Sequence, residues 1–140
     1  MEELVEGLTR GNVTEVKVVL ASVVLALAGY QLFLIAVGYG KVRLPFLAPR
    51  PASLAHRAAG DAILVLIVVV AVMCVSYFGF EDDQLLHIGA AIGLLAVLAV
   101  KVTIIRRWHS MGRFLPVLGV SVFLLLTLTW LSSAGAFLVD

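Results

Sequence analysis

Charge is scarce in this chain. Asp, Glu, Lys and Arg make up 14% of its 140 residues, against 62% hydrophobic residues. That balance excludes an ordinary soluble domain, which carries about a quarter charged residues. Cysteine is almost absent: the single Cys74 excludes an intrachain disulfide and any multi-thiolate metal site. No nucleophile–base pair and no phosphate-cradling loop can be read, so a hydrolase or transferase has no residues to rest on. Internal repeats and low-complexity tracts are also missing. The few basic residues gather at connections between apolar runs, where they serve as topology anchors, and nucleic-acid binding gets no support from them.

Hydrocarbon fills the rest. Four long apolar runs cover about Val16–Tyr39, Leu54–Phe80, Leu85–Ile105 and Phe114–Leu138. Each meets the roughly 20 residues needed to cross a hydrocarbon layer about 30 Å thick. Lipid offers no hydrogen bonds to the backbone, so each run is expected to be a helix. The first run follows the acidic segment MEELVEG and exceeds the length of a signal-peptide core, so it is expected to stay in the chain as a span. Short connections predict an all-α membrane protein, an antiparallel four-helix transmembrane bundle forming one domain over residues 1–140.

Local signals place the helix ends. Asn12-Val-Thr-Glu15 reads as an N-cap with its glutamate three residues on. Gly38-Tyr-Gly40 closes the first helix, and Pro45, Pro49 and Pro51 keep the next loop extended, with Pro51 suited to a helical first turn. The turn Phe80–Gln84 holds aspartates able to cap the third helix, and Ser110 is expected to cap the fourth. Lys41, Arg43, Arg50 and Arg57 flank the first connection, and Lys101, Arg106, Arg107 and Arg113 the third, so eight of the ten basic residues share one side. The positive-inside rule therefore predicts both termini outside the cytoplasm, an N-out/C-out protein of the (prokaryotic) cell membrane.

Three histidines stand in this apolar chain: His56, His87 and His109. An ionisable side chain in a membrane segment is a functional-site hypothesis by default. Imidazoles on membrane helices are common axial ligands of haem iron, which makes haem b the expected cofactor. Depth selects the pair. His56 stands 26 residues before Asp82, roughly 39 Å of ideal helix, and His87 only five residues after it, roughly 8 Å. His109 stands 27 residues after Asp82, roughly 40 Å if the helix persists, level with His56. His56 and His109 are thus the one intrachain bis-histidine pair expected, giving one haem, with Arg57, Arg106, Arg107 and Arg113 placed for its propionates. His87 is the less favoured ligand, with Met73 at a similar depth as a partner for a second, outer haem. The bland readings are an interfacial anchor for His109, turn capping for His87 and plain packing for Met73.

Asp61, one turn beyond Arg57, is expected to form an i,i+4 ion pair with it, or to orient an imidazole or pass a proton. Gly60 and its alanine neighbours, and Gly89, Ala90, Ala91, Gly93, Ala96 and Ala99, mark either close helix contacts or room for a flat macrocycle.

His56-Arg-Ala-Ala-Gly60 and His87-Ile-Gly89 resemble the helix-opening histidines of the transmembrane b-type cytochromes of the ascorbate-reducing and ferric-reductase-like group. Lys101…Arg106-Arg-Trp-His, Gly112-Arg-Phe-Leu-Pro-Val-Leu-Gly119 and Trp130-Leu-Ser-Ser-Ala134 also look like an uncharacterised four-helix family near that group. The likeness covers about residues 50–138. It implies that His56 matches the family's second-helix ligand and His87 its third-helix ligand. His109 falls short of the fourth-helix position, and no fifth helix supplies His87 with its family partner. The expectation is a haem b electron carrier rather than a stand-alone enzyme, exchanging electrons with a quinone or a partner redox protein, in a homo-oligomer or larger complex. The rivals are a non-catalytic structural or assembly subunit of a respiratory or transport complex, and a channel or carrier built on Asp61.

Overall fold

A computed structural model describes residues 1–38, 45, 49–79 and 84–139. Helix accounts for 93% of the structure and no strand is present among the described residues. The elements are α1 (Glu2–Thr9), α2 (Val13–Gly38), α3 (Pro49–Met73), α4 (Leu85–Arg106), α5 (Leu115–Trp130) and α6 (Ala136–Val139). A π-helical turn, Cys74–Phe78, extends α3, and another, Leu131–Gly135, joins α5 to α6. Four helical stretches are long and apolar enough to cross a membrane: Val13–Val37, Leu54–Phe78, Leu85–Arg106 and His109–Val139. This is an all-helical membrane protein. The turns at Tyr39–Gly40 and Phe80–Asp83, with the expected aspartate caps, lie outside the described residues.

The chain divides into two compact units, Met1–Gly79 and Phe80–Asp140. In the first, α2 and α3 form an antiparallel hairpin. Asn12 stands at the N-cap position of α2, its carbonyl accepting the Val16 N–H at 3.0 Å. The span starts three residues earlier than hydropathy alone suggests, because Val13 is buried under α1. Pro49 opens α3, which leaves Pro51 in the first turn, where its missing N–H costs nothing. Val5, Val13 and Met73 form a buried cluster covered by Val16, Leu20, Tyr77 and Phe78, so α1 is pinned across one end of the hairpin. Lys17 places its Nζ 4.0 Å above the Phe78 ring, a cation–π contact that spares the ammonium a purely apolar setting. Positive φ marks the corners: Arg10 (φ 53°) and Gly11 (φ 81°) follow α1, and Gly79 (φ 65°) ends the α3 extension. Toward the other end, Leu34 and Val37 pack on Ala55.

In the second unit, α4 and α5 form another antiparallel hairpin. Ala90, Leu94 and Leu98, spaced four apart, make the buried stripe of α4, and Val122 and Leu126 that of α5. The other faces are apolar and exposed, as lipid contact requires. Side-chain hydroxyls bond back to carbonyls of their own helix: Thr103 to Ala99 at 2.7 Å, Ser121 to Val117 at 2.9 Å, Thr127 to Phe123 at 2.8 Å. A hydrophobic solvent leaves them no other acceptor nearby.

One local expectation fails here. The fourth span does not start from a Ser110 cap: His109–Phe114 is a turn of 3-10 helix running directly into α5, and Ser110 lies inside it. Pro116 does stand in the first turn of α5, as expected. The small residues of α4 do not all pack within the hairpin. A Cβ on Gly93 would meet Leu125 at an ordinary 3.6 Å, but Gly89 faces open space.

Candidate functional site

Each histidine has a distinct setting. His56 lies in the first turns of α3, half-buried, and its backbone carbonyl accepts a hydrogen bond from Gln31 Nε2 on α2 at 2.8 Å. The same amide lies over Gly60, where a Cβ would stand only 3.3 Å from Gln31 Nε2. The room that Gly60 leaves beside His56 is thus taken by a neighbouring amide. Gln31 Oε1 is buried without a hydrogen-bond partner among the described residues. Sequence reasoning passed over Gln31, although a lone amide inside an unbroken apolar run is a usable signal.

Arg57 and Asp61, on the following turn of α3, are both exposed, and no ion pair joins them. The expected i,i+4 pair is therefore not made. Met73 is buried against Val5 and Val13, so its thioether serves as packing, and ligating an iron would require it to leave that cluster.

The second unit holds the other two histidines at opposite ends of one hairpin. α4 ends at Arg106, where Arg107 and Trp108 close it through N–H bonds to Thr103 and Ile104 carbonyls. The helix does not persist to His109, which sits exposed at the head of the 3-10 turn. The depth of His109 is therefore not that of an extended α4. Arg106, Arg107 and Arg113 are exposed on this same connection, with the Arg113 guanidinium 4.8 Å above the Phe114 ring. Exposed Trp108, Met111 and Phe114 complete a basic, aromatic belt suited to a membrane interface. His56 and Arg57 belong to one unit and His109 with the three other arginines to the other.

His87, on the third residue of α4, has its ring held by the facing helix of its hairpin. Its Nδ1 lies 3.2 Å from the Thr129 carbonyl oxygen and 3.1 Å from Ser132 Oγ. A carbonyl can only accept, so Nδ1 carries the proton and donates it. With its proton on Nδ1, a neutral imidazole has its lone pair on Nε2. Metal-bound histidines characteristically donate their second ring N–H to a backbone carbonyl or carboxylate in this way. Among the described residues no group of three or more His, Cys, Asp or Glu side chains comes together. An axial haem site needs only one or two protein ligands.

Residues 5–140 match DUF6529, a family of unknown function. The chain belongs to the DUF6529 family. No curated protein and no solved structure matches it. For this DUF6529 member the chemistry rests on its own residues: an oriented imidazole in one unit, a clamped helix turn bearing His56 in the other, and a basic belt beside His109.

Proposed function

We propose that this protein is a membrane-bound b-type cytochrome that carries electrons, exchanging them with a quinone or a partner redox protein. The observation that carries the reading is the His87 imidazole, held through Nδ1 on the Thr129 carbonyl in the tautomer that an iron ligand needs. Haem iron, when bound, supplies the ferric–ferrous couple. His87 would ligate through Nε2. His56, beside Arg57 in the first unit, and His109, beside Arg106, Arg107 and Arg113 in the second, remain candidate ligands, and the arginines would neutralise haem propionates. Their positions suit an N-out/C-out arrangement in which the basic connections face the cytoplasm of the cell.

His87 is half-buried where its Nδ1 meets Ser132 and Thr129. The test is a visible spectrum of the purified protein, oxidised against reduced, from cells supplied with haem. Sharp low-spin bands that disappear on reoxidation are expected. A colourless protein that nonetheless folds and assembles would overturn the reading and favour a structural subunit of a larger membrane complex.

A further inference from the structure

The π turn at Leu131–Gly135 explains how His87 comes to be held. In such a turn the backbone bonds reach one residue further than in an α-helix, and such turns frequently accompany functional sites. Thr129, just before it, has a carbonyl that collects side-chain donors: Ser132 Oγ at 3.0 Å, Ser133 Oγ at 3.1 Å and His87 Nδ1 at 3.2 Å. The turn is packed from within. Ala134 is fully buried, and a Cβ on Gly135 would stand 3.4 Å from the Trp130 ring. Ser132 gives its own proton to Thr129, so the lone pair of its oxygen faces His87 Nδ1, 3.1 Å away. Two oxygens thus converge on one ring nitrogen; the carbonyl requires it to be protonated, and the hydroxyl, its own proton spent on Thr129, then accepts from it as well.

We infer that Ser132 is a positioning residue for His87. Its hydroxyl and the Thr129 carbonyl hold the proton on Nδ1 and set the plane of the ring, the orientation in which an electron-pair acceptor would be met by Nε2. This inference rests on the cytochrome reading only for the identity of that acceptor, a haem iron. The tautomer lock is a property of the chain itself. Thr129 contributes through its backbone, since its own hydroxyl bonds to the Leu125 carbonyl at 2.7 Å, and its side chain is not part of the lock.

Haem-free protein with 15N-labelled histidine, in lipid nanodiscs at a pH where imidazole is neutral, reports the tautomer directly by NMR. His87 is expected to carry its proton on Nδ1. Ser132→Ala removes one of two acceptors and is expected to lower the Nδ1–H to Nε2–H ratio about fivefold, the equivalent of one hydrogen bond. Ser132→Thr keeps the hydroxyl and should restore the ratio, and Thr127→Val, which touches only its own helix, should leave it unchanged. A wild-type His87 protonated on Nε2, or a ratio indifferent to Ser132→Ala, overturns the inference. If Ser132→Ala does not fold, the wild-type tautomer and the Ser132→Thr variant still decide. In haem-loaded protein, Ser132→Ala should raise the midpoint potential, because an imidazole that donates less from Nδ1 supports ferric iron less. The two readings fail separately. A locked tautomer in a colourless protein leaves Ser132 in its role and sinks the cytochrome. A coloured protein with the Nε2–H tautomer does the reverse.

Discussion

Replacing Gln31 by leucine should stabilise the Met1–Gly79 unit. The amide makes one good bond, Nε2 to the His56 carbonyl at 2.8 Å, and leaves Oε1 buried without an acceptor's partner among the described residues. Interhelical hydrogen bonds in membrane proteins average about 0.6 kcal/mol. A buried acceptor left unsatisfied costs about 1–3 kcal/mol. Leucine removes both terms, fills nearly the same volume and is at least as good a helix former. The net change is therefore a gain of about 0.5–2 kcal/mol. Gln31→Ala deletes the same groups but leaves a void between α2 and α3, so it should lose about 2 kcal/mol relative to leucine. The assay is equilibrium unfolding in mixed micelles of rising SDS fraction, followed by far-ultraviolet circular dichroism. A loss of more than about 2 kcal/mol in Gln31→Leu would refute the reasoning, since it would mean that Oε1 is satisfied and the amide is a structural pin.

Gly60→Ala sets a helix-propensity gain of about 1 kcal/mol against a Cβ only 3.3 Å from Gln31 Nε2. It should be close to neutral alone and clearly stabilising in the Gln31→Ala background, a coupling that a double-mutant cycle in the same micelles measures. Gly93→Leu should weaken the α4–α5 hairpin, because the added side chain meets Leu125, while Gly89→Leu, opening onto empty space, should leave the hairpin intact and alter only oligomeric state. Size-exclusion chromatography with light scattering separates the two effects, and loss of fold in Gly89→Leu would show that something covers that face. Among the histidines, His87→Ala should abolish one low-spin species, and His56→Ala and His109→Ala should each abolish another where that histidine is a ligand. One set of bands removed by His87→Ala alone would leave His56 and His109 as interfacial residues. Reporter fusions at either terminus should be active outside the cytoplasm, and cytoplasmic protease access to a terminus would reverse the topology.

Much of the scaffold was legible because the medium leaves so few options. A run of about 20 apolar residues in lipid has to be helical, and four such runs appear within a few residues of where hydropathy puts them. Asn12 and Pro116 marked helix starts through backbone rules that hold in any solvent. Legibility ended where side chains choose between partners. The short acidic helix α1 escaped notice because it is only eight residues long and is held by one inward valine, Val5, while Leu4 and Leu8 stay exposed. Ser110 looked like a cap because it leaves Pro116 near a helical first turn, yet it lies inside a 3-10 turn that runs straight into α5. Gly60 signalled close approach correctly, but nothing in its neighbours said that a glutamine from α2 would be what approached.

The histidines show the same boundary from the functional side. Ranking them by depth along straight helices favoured His56 and His109 and made His87 the odd one. That argument treats a helix as a ruler and says nothing about what each ring donates to. The π turn is invisible to a period of 3.6 residues, and it is the π turn that brings Ser132 beside the Thr129 carbonyl that His87 faces. Thr129, Ser132 and Ser133 read in sequence as ordinary polar relief near a helix end. Placed opposite the first turn of α4 by an antiparallel hairpin, they become the acceptors that decide which nitrogen of His87 keeps its proton. A ligand is defined by its lone pair as much as by its position, and on that criterion the contacts of His87 Nδ1 with Thr129 and Ser132 argue for it where depth alone did not.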